Sequence, residues 1–218
     1  MSKSQKSKQI TMFFFVALAA VAGLYSSKVY FQENSTENPD SITFQSLLTY
    51  PKTKTFSGFT LINQDEQNIT IDDFANRWTL LFFGFTHCPD VCPTTLTELQ
   101  KTFKLLEDKN LPEMPQVIFV SVDSERDSSK ILKDYIAFFN PAFIAATADH
   151  ANLLSITSQV GVAYHIGDHQ TGDTSYSVDH TAAVFLVDPN KQLFGIFRTP
   201  HEATKIAHDL SMLMSKDS

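Results

Sequence analysis

Cysteine is scarce in this chain: there are two in 218 residues, Cys88 and Cys92, four positions apart. So few thiols exclude a disulfide-knit scaffold, which carries several pairs, and a zinc site closed by four thiolates. A disulfide across so short a loop would also add little by cross-linking. Basic residues are scarce once position 28 is passed, 13 against 24 acidic ones, for a net charge of −11. That balance argues against nucleic acid or anionic lipid as the partner of residues 29–218. No internal repeat and no low-complexity tract is visible, and no acidic residue occurs before Glu33.

What is present begins with a segment distinct from the rest. Lys3, Lys6 and Lys8 precede an apolar run from Ile10 to about Ser27. Such a run makes a helix of roughly 27 Å, close to the hydrocarbon thickness of a bilayer. Residues 1–28 are therefore expected to be a short cytoplasmic tail and a single membrane anchor, with everything beyond exported. The expected location is the inner (cytoplasmic) membrane, single-pass, with the soluble domain on the periplasmic side. A cleaved signal peptide is the competing reading, with small residues at Ala17-Leu18-Ala19, although the run is longer than a usual signal core. No cysteine stands just behind the run, which excludes a lipoprotein modification. Residues 29–50 are polar and read as a spacer, and residues 51–218 suit one domain with a sizeable core, much of it supplied by phenylalanine.

Within that domain, Phe56 to Ile62 and Asn68 to Ile71 predict a hairpin around a polar turn. Trp78 to Phe85 is a near-continuous apolar run, the pattern of a strand covered on both faces. Pro93 suits a first helical position, and Leu96, Leu99, Phe103 and Leu106 then mark one helical face. Val117 to Val122 predicts a second buried strand ending at Asp123. Asp127-Ser128-Ser129 can cap a helix carrying Ile131, Leu132, Tyr135, Ile136 and Phe139, stopped by Asn140-Pro141. A short strand at Phe143 to Ala146 and a helix from Leu153 to Val160, closed by Gly161, come next. Residues 163–180 form a polar insertion; Ala182 to Val187 and Leu193 to Phe197 pair as a hairpin, and Glu202 to Met214 is a closing amphipathic helix. Strands alternating with helices, then a hairpin and a helix, make an α/β chain with a mixed sheet in thioredoxin-like order.

The two cysteines fall where the first buried strand gives way to a helix, in Thr86-His87-Cys88-Pro89-Asp90-Val91-Cys92-Pro93. That junction aims the sulfurs at the positive end of the helix, where a thiolate is stabilised. Such a pair can shuttle electrons, hold a soft metal or close a structural disulfide. The spacing permits a disulfide, and it also lets two sulfurs grip one ion. Copper(I) accepts two or three soft ligands and prefers thiolate, so a third ligand from elsewhere would complete a copper site. Seven histidines are available. His201 and His208 read as surface or cap residues of the last helix, His150 as part of a capping turn, and His165 and His169 as solvated loop residues. His180 stands just before the strand that begins at Ala182, in a loop expected to face the cysteines across the end of the sheet. It could reach both sulfurs, or be a structural histidine.

The segment Phe83 to Leu96 resembles the signature of the Sco/SenC family. Val120-Ser121-Val122-Asp123-Ser124-Glu125-Arg126-Asp127 is similar to that family's second block and Val178-Asp179-His180-Thr181-Ala182 to its third. The resemblance covers roughly residues 50 to 215. It implies a thioredoxin-like copper-binding domain whose ligands are Cys88, Cys92 and His180, and a role in building the copper centre of cytochrome c oxidase. The implied partners are an upstream copper donor and the copper-accepting oxidase subunit. Copper is expected as Cu(I), with Cu(II) left open. The alternative is a thiol–disulfide reductase, redox-active at Cys88 and Cys92, that keeps the oxidase cysteines reduced; a peroxide-consuming enzyme is a third option on this fold. One departure is visible: Ser124 stands where the family usually has proline. Asp123 reads as a strand-end turn residue and Asp127 as a helix cap.

Overall fold

The structure, a computed structural model, describes residues 18, 20–27, 43–109, 111–170 and 172–215. Its two compact units are Met1–Thr43 and Phe44–Ser218. In the first, residues 20–27 are helical. Half of the expected Ile10–Ser27 anchor, and all of the spacer before residue 43, lie outside the described residues. Among the described residues no helix is long and apolar enough to cross a membrane.

The second unit is α/β. Its strands are β1 (Leu47–Thr55), β2 (Leu61–Asn63), β3 (Asn68–Ile69), β4 (Thr79–Gly84), β5 (Gln116–Ser121), β6 (Ile144–Thr147), β7 (Tyr164–Ile166), β8 (Val178–His180), β9 (Val184–Val187) and β10 (Gln192–Phe197). Its helices are α1 (Val91–Glu107), α2 (Ser129–Phe139), α3 (His150–Val160) and α4 (Ala203–Met214), with a 3₁₀ turn at Ile71–Phe74. The main sheet runs β1-β10-β9-β4-β5-β6-β2-β3, while β7 and β8 form a separate two-stranded ribbon. The central trio β4-β5-β6 is parallel; β9 pairs with β4, and β2 with β6, antiparallel. This is the mixed sheet expected from the sequence.

Every residue of β4 is buried, because side chains alternate between two covered faces. Leu80 and Phe82 join one core with Leu96, Leu99 and Phe103 of α1, Leu132 and Ile136 of α2 and Leu210 of α4. Leu81 and Phe83 join the other, with Phe59, Phe74 and Leu153 and Ile156 of α3. Helix α1 starts two residues earlier than expected, so Pro93 is its third residue. The N–H groups of a first turn have no partner within the helix, so proline costs no hydrogen bond there. Ser128 caps α2 and Asp149 caps α3, which ends at Gly161 in the left-handed conformation (φ 78°) that glycine adopts without strain.

Two elements differ from the sequence expectation. Only Leu61–Asn63 of the first hairpin arm is paired; Phe56 and Phe59 instead turn inward and pack on Phe74, ring centroids 6.3 and 5.8 Å away. The larger difference is β1, which begins at Leu47, inside the stretch that composition marks as spacer. A buried carboxylate accounts for it. Asp209, on α4, accepts the backbone N–H groups of Gln45, Ser46 and Leu47, each at 2.8 Å. The tether comes from roughly 160 residues away, so no local pattern announces it. Asp209→Ala is expected to destabilise the domain by about 3 kcal/mol in urea unfolding. Removing the exposed Asp72 carboxylate, which meets Lys191 at 3.0 Å, should change stability by less than about 1 kcal/mol.

Candidate metal centre

Parallel pairing of β4 with β5 sets Gly84 opposite Ser121, so the loops after the two strands leave the same edge of the sheet. The first carries Thr86 to Asp90 and turns into α1. Cys88 stands in the loop, half-buried; Cys92 is the second residue of the helix and fully buried. The backbone N–H of Cys92 points at Cys88 Sγ, 3.4 Å away, so the first helical turn does present a donor to one sulfur. Space for the other sulfur comes from Gly84: a Cβ there would lie 2.7 Å from Cys92 Sγ and 2.8 Å from the Phe119 ring. Glycine is required at this point by the close approach of the sulfur.

His180, the last residue of β8, closes the group. Its Nε2 lies 3.3 Å from Cys92 Sγ, and the ligand atoms of Cys88, Cys92 and His180 all fall within 4.8 Å of one another. Among the described residues this is the group of three or more such side chains that could hold one metal ion. The Nδ1 of His180 faces the Thr181 carbonyl at 3.2 Å. A carbonyl only accepts, so Nδ1 carries the proton and the Nε2 lone pair is free for the sulfur side. Phe82 and Phe85 hold the ring edge-on, at centroid distances of 6.3 and 5.8 Å.

Burial dominates the electrostatics. It pushes the Cys92 thiol well above its ordinary range, more strongly than the Phe85 backbone draws it down. At Cys92 the expected stabilisation of a thiolate is therefore opposed, because lost hydration favours the neutral thiol. Burial also lowers the His180 pKa, against smaller opposite effects of the Thr181 carbonyl and Asp179, and keeps the ring neutral. A neutral imidazole and two thiols that must shed protons suit a soft cation better than a hard one.

The remaining histidines are elsewhere. His87 and His165 are exposed, and His208 sits on α4. His150 is the first residue of α3, beside its cap Asp149 as expected, and meets the Tyr164 hydroxyl at 3.2 Å. His201 is half-buried rather than a surface residue, and burial lowers its pKa. His169 is not a free loop residue, since it stacks on Tyr176 with ring centroids 3.9 Å apart.

The two aspartates of the second loop have roles the sequence does not disclose. Asp127 is buried and does not cap α2; it accepts the Thr86 N–H at 2.8 Å and the Thr86 hydroxyl at 2.6 Å, fixing the start of the cysteine loop. Asp123 is buried too, and accepts the Tyr176 hydroxyl at 2.6 Å and the Arg126 guanidinium. Burial, and then the bond to Asp123, push the Tyr176 pKa up to about 12, so this hydroxyl is a donor at any physiological pH. A carboxylate just ahead of a helix looks like a cap locally; only its distant partners reveal the difference.

Comparison with known proteins bears on this geometry. The family model described as SCO1/SenC matches residues 49–215. An SCO2-like protein of Rickettsia prowazekii is 32% identical over 139 residues, covering 64% of this chain and 67% of that one. Among solved structures, Bradyrhizobium japonicum ScoI with copper bound is 30% identical (TM-score 0.64), covering 72% of this chain and 98% of that one. Apo Sco1 of Thermus thermophilus is 32% identical (TM-score 0.68), covering 80% and 99%.

Because Gly84 yields its space to Cys92 Sγ, Gly84→Ala should overpack the site. The expected loss of stability is about 1–3 kcal/mol in chemical denaturation, and Cys92→Ala in the same chain should restore part of it.

Proposed function

The chain belongs to the SCO1/SenC family, and on that footing we propose that it is a copper metallochaperone. Cys88, Cys92 and His180 take up one copper ion and pass it to the copper-accepting subunit of cytochrome c oxidase during assembly. The observation that carries this reading is the meeting of two thiols and a lone-pair-bearing imidazole nitrogen within 4.8 Å. Copper here is cargo. Two thiolates and an imidazole favour Cu(I), and a three-ligand site leaves an approach for an incoming thiolate, so the ion can change hands one ligand at a time. An upstream donor would load it by the same exchange. Oxidation of the pair to a disulfide removes both thiolates and so blocks loading.

The reading extends to place. The apolar run from Ile10 to Ser27 would anchor the protein in the cytoplasmic membrane as a single-pass helix, with the copper domain on the periplasmic side, where the oxidase subunit presents its cysteines.

A second reading draws on the two free thiols, one buried and one half-exposed. As a dithiol reductant, the pair would give two electrons and two protons to a disulfide in the oxidase subunit. The partner's disulfide would be reduced to two thiols, and Cys88 and Cys92 would close a disulfide of their own. That chemistry needs no histidine.

Metal analysis of the reduced chain, wild type against His180→Ala, separates the readings. One copper per chain, held at least about tenfold more weakly in the variant, is the result expected of the three-ligand site. Unchanged stoichiometry and affinity in His180→Ala would remove the histidine from the site. Oxidase assembly that survives His180→Ala despite lost copper binding would favour the reductant.

Copper uptake should also be pH-dependent with a definite sign. Each thiol releases its proton as the metal enters, while the imidazole, held neutral by burial, releases none at neutral pH. Apparent Cu(I) affinity should therefore rise with pH by up to about a hundredfold per unit below the thiol range. Competition titrations with a Cu(I) chelator at about pH 6, 7 and 8 measure it.

A further inference from the structure

His180 is not carried by the main sheet. It ends the β7–β8 ribbon, whose register pairs Tyr164 with His180, His165 with Asp179 and Ile166 with Val178. Beside the packing of Val178, Tyr164 and Ile166 on the second core, a cluster around Arg126, in the loop after β5, ties the segment before β8 to the sheet end. The Arg126 side chain is 7% exposed. Its Nε meets Asp123, and its Nη1 donates to the carbonyl oxygens of Thr174 and Tyr176, both at 3.1 Å. The guanidinium carbon lies 3.7 Å from the centroid of the Tyr176 ring, whose other contacts are the Asp123 carboxylate and the stacked His169. His169 in turn reaches Glu125 at 3.1 Å. Arg126 also sits 5.7 Å over the Phe85 ring, and Phe85 meets His180 edge-on.

Two routes thus lead from Arg126 to His180: along the backbone from Tyr176 into β8, and through the Phe85 ring. The same loop ends at Asp127, which fixes Thr86 at the start of the cysteine loop. One short loop therefore holds both halves of the site.

Resting on the copper reading of that site, we infer that Arg126 is a positioning residue. With Tyr176 and Asp123 it forms a latch that docks the polar insertion and sets His180 at its distance from the cysteines. The latch needs the planar fork of arginine, which can stack on Tyr176 while donating to a carboxylate and two carbonyls. An ammonium in its place keeps the charge beside Asp123 but cannot make that set of contacts.

The test is Cu(I) affinity of the full reduced chain, by chelator competition, for Arg126→Lys in two backgrounds. With His180 present, Arg126→Lys should weaken Cu(I) by about tenfold, as loss of support behind a metal ligand does. In a His180→Ala background the same substitution should change affinity by less than about twofold. Equal loss in both backgrounds would mean that Arg126 supports the fold or the cysteines, and would overturn the inference; so would no loss with His180 present. Tyr176→Phe removes only the hydroxyl bond to Asp123, and should repeat the background dependence at about threefold should the lysine variant fold poorly. Amide hydrogen exchange across Val178–His180 in the metal-free protein supplies a readout independent of copper. It should quicken by about tenfold in Arg126→Lys, and unchanged protection would overturn the latch. If His180→Ala alone left Cu(I) affinity intact, the copper reading would fail, while the exchange measurement would still decide the latch.

Discussion

The parallel pairing of β4 with β5 is the constraint on which the site depends. Both strands end at one edge of the sheet, with Val122 donating to the Gly84 carbonyl at 2.9 Å. The chain must therefore leave β4 and β5 through adjacent loops. One loop carries the thiols and the other carries Asp127, which steadies the cysteine loop, and Asp123, which ties the insertion. In open α/β sheets this carboxyl edge is where ligands collect, because neighbouring loops part there and leave side chains from several segments facing one another. The antiparallel strand β9 lies on the other side of β4, and the segment entering it brings His180 to the same edge. Three chain segments far apart in sequence meet there because the sheet order leaves them nowhere else to emerge.

Burial then decides the chemistry of what meets. Cys92 lies under the end of β4 in the gap that Gly84 leaves, and lost hydration favours its protonated form more than the Phe85 backbone favours the thiolate. The same loss of hydration keeps His180 neutral. Such a site would give up protons on taking a soft cation, whose charge would offset that of the thiolates in a water-poor setting. Cys88 is the half-exposed sulfur of the pair.

Buried carboxylates supply the long-range ties that the apolar pattern does not. Asp209 joins the last helix to the first strand, Asp127 joins the second loop to the cysteine loop, and Asp123 joins it to the insertion. Each accepts several donors, so each is satisfied despite its burial. Hydrophobic contacts place whole elements; these carboxylates fix loops, which have no apolar face with which to place themselves.

The sequence alone determined the elements whose signal is local. The apolar run of β4 and the periodic face Leu96, Leu99, Phe103 and Leu106 were legible because a period of side-chain burial results directly from strand and helix geometry. The cysteine pair was legible at the strand–helix junction, and the order of elements implied the mixed sheet. Its place before the strand set His180 apart from the other histidines, but a structural role stayed open until the motif resemblance implied a ligand. What the tertiary structure decided is everything that depends on partners distant in the chain. Leu47–Thr55 is a strand because it pairs with β10 while Asp209 holds its start, Asp127 holds a loop instead of capping a helix, and Gly84 is needed for a sulfur further along the chain. Arg126, Tyr176 and Asp123 act as one cluster across some fifty residues. Periodicity records which face of an element is buried; it carries no record of which distant donor a carboxylate meets, and that is settled only when the chain is packed.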